Sequence, residues 1–448
     1  MFNKLYKLAL NSASDAAIRW TLITQLIRFL TGPITMFCMV RFMSQEVQGY
    51  AYAFSGLLSL NTFLELGFTQ NILQFTSHEA SKLLITETGI ITGDITAKSR
   101  LISLGRLSFK YYAIASILFL LGLIVGGGWF FSTSHPGNVK WMCPWALASI
   151  SASISLCITP CWALLEGCNF ISRVEKFRFV SSLISFLGST IALVLGMELY
   201  AMVISAILTV VCSIWYLLSK WKNFYSAFLQ IPTHGTISWK KEIWPFQWRI
   251  GISWISGYFI FFSIIPIVFR INGPVEAGKL GFTLQIVRTV SSIASTWLVT
   301  KLPLFGMLVA KKEWLTLEQV WKKATLTSVL VAVMGSLMMI AALNMGELFY
   351  HPLSKRYAGT LIVLILSAGM VCQCFTAAGA YMIRAFKVEP YMKISIYTAI
   401  LSVVLIPPLA KWMGILGASI GYSGAIFIVA WPSYNLFRTK YSQFKNEK

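Results

Sequence analysis

Acid is scarce in this sequence. Its 448 residues include only 16 Asp and Glu, and the only aspartates are Asp15 and Asp94. Metal-dependent glycosyl transfer commonly needs paired carboxylates to hold a metal and a sugar nucleotide, and no such aspartate pair exists here. Charge of either sign is thin, 12% of residues against about 25% in an average soluble domain, which excludes an ordinary cytoplasmic enzyme. The four histidines (His78, His135, His234, His351) lie outside the apolar runs and far apart, so no metal-ligand spacing arises. No loop is long enough for a separate catalytic domain of about 50 residues. The eight cysteines sit in or at the ends of apolar runs, where they read as small soft hydrophobes rather than a disulfide framework or zinc site. No catalytic residue, metal or cofactor is expected.

What is abundant is apolar mass: 56% of residues are hydrophobic, with 16 Trp and 31 Phe, and the mean hydropathy is +0.70. The formal charge of +21 would suggest nucleic acid in a soluble protein. A nucleic-acid binder spends its surface on charge, however, and this chain has long runs without an ionisable residue. It reads as an all-α polytopic membrane protein. Crossing a ~30 Å hydrocarbon layer takes roughly 20 apolar residues. Twelve stretches qualify, at about 18–40, 48–72, 109–131, 142–166, 177–197, 199–219, 247–269, 279–307, 324–345, 358–383, 393–411 and 414–436. Nothing shows the alternation of barrel strands, so the backbone must satisfy itself within helices. The first stretch is too long for a signal-peptide core and is expected to persist in the mature protein.

Basic residues set the orientation. With the N-terminus cytoplasmic, 27 of the 37 Lys and Arg fall on cytoplasmic segments and 7 on the other side, a bias that places both termini inside. Arg28, Arg288 and Lys301 remain, each within a span. A charge at the bilayer centre costs roughly 2.5–3.5 kcal/mol on insertion scales and usually faces a cavity or a partner.

Arg28 lies deep in the first span. On the second, Asn61, Glu65 and Thr69 follow at i, i+4 and i+8 as one polar stripe, with Glu65 at a depth similar to that of Arg28. An ion pair between the two and a cavity-lining role for Arg28 are compatible. Arg288 is followed by Ser291, Ser292 and Ser295. Lys301 lies roughly 140° around an ideal helix from Arg288, near a cytoplasmic end where it can snorkel, so a cavity position is the weaker reading for it. Arg28, Arg288, Lys301, Asn61 and Ser292 are the candidate contacts for an anionic substrate. Glu65, and Glu166 at the close of the fourth span, are candidates for ion pairing or coupling.

The spans divide as six plus six at a basic stretch: an N-terminal lobe 1–219, a cytoplasmic linker 220–246, and a C-terminal lobe 247–448. The halves begin alike. Val40-Arg41 leads to Gln48-Gly49-Tyr50-Ala51, and Phe269-Arg270 leads to Ala277-Gly278-Lys279-Leu280, as expected of a duplicated transporter. Pro33, Pro160, Pro266 and Pro303 are candidate hinges or packed irregularities. Gly414, Gly417, Ala418, Gly421 and Gly424, with Gly122 and Gly126, read as helix-packing positions. Gly273 to Leu280 matches part of a nucleotide-binding P-loop. Leu280 stands where Ser or Thr would meet Mg²⁺, and no strand precedes it, so the match is rejected.

Phe63-Leu64-Glu65-Leu66-Gly67-Phe68, Ala163-Leu164-Leu165-Glu166-Gly167-Cys168-Asn169, Gln247-Trp248-Arg249-Ile250 with Ser253-Trp254-Ile255-Ser256-Gly257-Tyr258-Phe259, and Gly273-Pro274-Val275-Glu276-Ala277-Gly278 carry a family resemblance. With twelve spans and a cationic interior, the chain resembles the polysaccharide-transporter branch of the multidrug/oligosaccharidyl-lipid/polysaccharide exporter superfamily. These are bacterial flippases for lipid-linked O-antigen and exopolysaccharide units. The resemblance implies two six-helix lobes around a central cavity, alternating access without ATP, and a bacterial inner-membrane location. It also implies an undecaprenyl-pyrophosphate-linked oligosaccharide as cargo, with the lipid bilayer and other polysaccharide-assembly membrane proteins as partners and no nucleic acid. It brings no invariant site residues. A cation-coupled multidrug exporter of the same fold would want carboxylates in its interior, and a polysaccharide polymerase or ligase would want a large external loop. A topology reporter fused after Lys448 should report the cytoplasmic side, and one inserted beside Lys140 the external side.

Overall fold

The computed structural model describes residues 19–446, apart from 21, 22, 26, 28, 29, 87, 88, 135–138, 350, 387 and 389. The described chain is helical, with one antiparallel hairpin, Leu83–Ile85 paired with Ile91–Gly93, in the first long connection. Among the described residues, ten helices are long and apolar enough to cross a membrane. The twelve expected spans map onto these ten for two reasons. The stretches 393–411 and 414–436 are two helices that meet at Gly414, whose φ of 64° and ψ of −145° break the otherwise continuous run Met392–Asn446. The stretch 48–72 is no single helix but three, Gln45–Leu58, Asn61–Glu65 and Phe68–Ala80. Leu66 and Gly67 between the last two both take left-handed conformations (φ 47° and 68°).

Contacts group the chain into two compact units. The first comprises 1–44, 58–133 and 137–254. Within it the Ile95–Gly122 helix packs on Met142–Gly167 and on Phe68–Ala80, and Ile171–Val194 pairs with Tyr200–Lys220. The expected packing at Gly122 and Gly126 is not found, since a Cβ on either would meet nothing within 4 Å. Packing falls instead on Gly127, where a Cβ would lie 2.2 Å from the Trp145 ring. There the helix widens into a π-turn, Leu123–Gly127, and Trp145 Nε1 donates to the Leu123 carbonyl at 2.9 Å. Pro160 is buried within an unbroken helix.

The second unit comprises 45–57, 134–136 and 255–448. Thr360–Arg384 packs on the long C-terminal run, and Pro274–Val299 packs on Trp314–Phe349. Of the glycines after Gly414, Gly417 and Gly421 make close approaches, to the Leu409 carbonyl and the Ile406 backbone, whereas a Cβ on Gly424 would meet nothing.

The P-loop-like sequence has a structural role in this unit. Gly273, at φ 93°, precedes a helix that opens with Pro274 at its first turn, a position that Pro favours. Lys279 pairs with Glu276 at 2.7 Å. Gly278 lies against Gly49: a Cβ on Gly278 would fall 2.9 Å from Gly49 N, and one on Gly49 would fall 1.8 Å from the Pro274 carbonyl oxygen. These are the matching glycines of the two sequence repeats. Gln48 Nε2 donates to the Gly278 carbonyl at 3.1 Å, Tyr50 meets Phe269 edge-on at 4.9 Å, and Gly56 faces the Pro266 ring. Gly49→Ala should therefore lower the thermal midpoint of the detergent-solubilised protein through about 1–3 kcal/mol of overpacking, while Gly424→Ala leaves it unchanged.

Candidate functional site

Arg288 projects from the middle of the Pro274–Val299 helix, half-buried. Its surroundings follow from a helix break. Pro266 has no N–H to offer the Phe262 carbonyl, and the helix Trp244–Phe261 stops before a new one, Ile264–Asn272, begins. The last carbonyls of any helix need outside donors. Tyr258 O accepts from the N–H groups of Phe262 and Ser263, and Phe259 O accepts from Ser263 Oγ at 2.8 Å. Phe261 O accepts from Arg288 Nη2. The guanidinium also lies over the Phe262 ring, 5.6 Å from its centroid, and within electrostatic reach of the buried Tyr422 hydroxyl. Arg288 Nε is buried without a hydrogen-bond partner, and no carboxylate pairs with this cation among the described residues. The guanidinium thus caps a helix end and retains both unspent donor capacity and an uncompensated charge.

Glu65 belongs to the first unit. It closes the Asn61–Glu65 helix, half-buried. The expected continuous stripe Asn61–Glu65–Thr69 is broken by the left-handed Leu66 and Gly67, so Thr69 stands on the next helix. The break still brings Thr69 to Glu65, since Thr69 Oγ1 donates to Glu65 Oε1 at 2.5 Å and contacts Tyr112 Oη at 2.8 Å. Tyr111 donates to the Leu64 carbonyl at 2.5 Å, capping the short helix from a neighbouring one.

Arg28 lies outside the described residues. Asn61 is half-buried at the start of its short helix, and Ser292 is exposed. Lys301 is not inside a helix: it is exposed in the turn between Pro274–Val299 and Leu302–Ala310, so the angular count from Arg288 does not apply to it. Glu166 is committed to Arg178 at 2.5 Å, and the same guanidinium holds Glu175 at 2.7 Å.

The basic linker contains an arrangement that spacing did not reveal. Arg100 bridges two carboxylates, Glu79 at 2.8 Å and Glu242 at 2.7 Å. Ser99 Oγ donates to the Gly235 carbonyl and accepts from the His234 N–H, both at 3.0 Å. Arg106 donates to the Gln230 carbonyl at 2.8 Å. The stretch 229–242 is thereby strapped along the start of the Ile95–Gly122 helix. The three ion-pair members are 21 and 142 residues apart in sequence. The only local sign is the spacing of Ser99, Arg100, Ser103 and Arg106 along successive helical turns.

These two units together have the fold of a class of polytopic exporters and flippases. The lipid II flippase MurJ in an inward-closed conformation matches with a TM-score of 0.60 at 11% identity, over 96% of this chain and 90% of that one. A MOP superfamily transporter from Pyrococcus furiosus, described as having a binding pocket of reverse polarity, matches at 0.56 and 15%, over 97% of each chain. A MATE protein in its bent conformation matches at 0.54 and 12%, over 97% and 96%. At such identities the likeness is one of fold. No family model matches the sequence, and no curated protein matches it.

The Ser238 N–H and then the Arg100 guanidinium hold Glu242 below the usual carboxylate range. A carboxyl lowered by folding stabilises the fold above its unfolded value and loses that contribution as pH falls through the lowered one. Wild type should therefore lose thermal stability on acidification below about pH 4, and Glu242→Gln should lack that component. Arg100→Ala would leave Glu79, 5% exposed, with only the exposed His78 imidazole at 3.8 Å among the described residues, and should cost about 2–4 kcal/mol in chemical denaturation.

Proposed function

We propose that this protein is a flippase that moves an undecaprenyl-pyrophosphate-linked oligosaccharide from the cytoplasmic to the external leaflet of a bacterial inner membrane, for O-antigen or exopolysaccharide assembly. The observation that carries this reading is Arg288. It is a half-buried guanidinium in a membrane-length helix, with a buried donor unspent and no carboxylate partner among the described residues. Charge is costly at that depth, and a cation of this kind attracts the anionic end of a cargo. The fold likeness to a lipid II flippase supports the same cargo class, and a pocket of reverse polarity in another protein of this fold is in keeping with it. Arg28 is the second cation assigned to the cargo. Glu65, hydrogen-bonded by Thr69, is the carboxylate assigned to coupling.

Export of cationic drugs is the competing reading, favoured by the MATE neighbours. It would leave Arg288 without a purpose beyond capping the helix break. In a strain dependent on this protein for surface polymer, Arg28→Ala and Arg288→Ala should each abolish polymer display while the protein still inserts. Arg288→Lys, which keeps the charge, should retain more display than Arg288→Gln. Wild-type display from both alanine variants, or resistance to cationic dyes on expression, would overturn the reading.

A further inference from the structure

Apart from any path for cargo, the first unit has a groove on the pair of helices Ile171–Val194 and Tyr200–Lys220. It encloses about 520 Å³, within the range of small-molecule sites. The two helices run in opposite directions, so the start of one and the end of the other share one end of the groove. Arg173, Lys176 and Lys220 line that end. Further along, the wall is apolar: Val180, Ile184 and Trp215 line it. From Arg173 to Ile184 the helix rises about 16 Å. A cavity with three cations at one end and a hydrocarbon-lined body along the helix is matched to an amphiphile with an anionic head.

The cations are positioned for this. Arg173 lies 5.4 Å from the Phe170 ring centroid and 5.7 Å from that of Trp221, which fixes its direction through cation–π attraction. Lys176 lies 5.7 Å from the Trp20 ring. Neither Lys176 nor Lys220 has an ion-pair partner among the described residues, and Glu175, the nearest acid in sequence, is already taken by Arg178 at 2.7 Å. Trp215, 67% exposed, has the amphipathic ring that concentrates at the headgroup level of a bilayer.

We infer that this groove is a binding site for an anionic glycerophospholipid of the bilayer, its phosphate held by Arg173, Lys176 and Lys220 and an acyl chain laid along Val180, Ile184 and Trp215. Basic pockets between membrane helices bind acidic lipid headgroups in this way. The site concerns the resident lipid rather than the cargo, so it stands or falls separately from the flippase reading.

The test is native mass spectrometry of the full-length protein released from mixed micelles holding equal phosphatidylglycerol and phosphatidylcholine. Wild type should retain phosphatidylglycerol in preference, and the double variant Lys176→Gln/Lys220→Gln should lose that preference by about tenfold. Both lysines are exposed, so folding should be unaffected. Lys322→Gln/Lys323→Gln, on another helix, should keep it. Ile184→Trp, which fills the apolar body, should lower retention of phosphatidylglycerol. Equal retention of the two lipids by wild type would overturn the inference, as would an undiminished preference in the lysine double variant. Displacement by inorganic phosphate with no effect of Ile184→Trp would also overturn it, since the groove would then hold free phosphate rather than a lipid.

Discussion

The close crossing of the Gln45–Leu58 and Pro274–Val299 helices within the second unit depends on two glycines. Two backbones can approach to this distance only where no side chain intervenes, and lipid supplies no hydrophobic force to bring helices together. Gly49 and Gly278 meet that requirement on the two sides. Around them, Gln48 reaches the Gly278 carbonyl, Arg356 Nη1 donates to Gln48 Oε1 at 3.2 Å, and Tyr50 fills the space beside Phe269. The polar contacts are few and specific because Gln48 is buried, where an unmet donor would be costly. The helix that carries Arg288 also packs on Trp314–Phe349 and Thr360–Arg384.

Breaks in helices create most of the polar geometry described above. Pro266 ends one helix and exposes carbonyls, and Arg288 answers one of them. Leu66 and Gly67 end another, and Thr69, Tyr111 and Tyr112 gather round Glu65. The same logic explains why residues that look alike in sequence differ in role. Glu65 retains a hydroxyl neighbour, whereas Glu166 is held by a guanidinium. Arg288 faces a carbonyl and aromatic rings, whereas Lys301 stands in an exposed turn. Arg288, near a carbonyl and unpaired with any carboxylate among the described residues, keeps its positive potential.

Outside the apolar interior, the basic residues have tertiary roles. Arg100 and Arg106 bind the linker to the first unit, Arg178 joins two helices through Glu166 while also holding Glu175 on its own helix, and Arg173, Lys176 and Lys220 frame a groove with an apolar floor. These cations therefore combine tertiary fastening with attraction for acidic headgroups.

How much of this was legible in the chain itself follows from the range of each interaction. Helical spans are local: twenty apolar residues suffice, so the all-α membrane architecture, and nearly every span, could be read directly. The matching glycines were legible as a repeat, and Arg288 as a charge out of place. The fourfold spacing of Asn61, Glu65 and Thr69 misled, because helix periodicity assumes an unbroken helix and two left-handed residues intervene. Gly122 and Gly126 misled because small size permits close packing without requiring a neighbour. What the sequence by itself determined was the apolar period, the scarcity of acid and the placement of cations along the chain. Which carbonyl Arg288 meets, which acids Arg100 joins across 142 residues, and which glycines touch were decided only by the tertiary structure, because each depends on where distant helices break and cross.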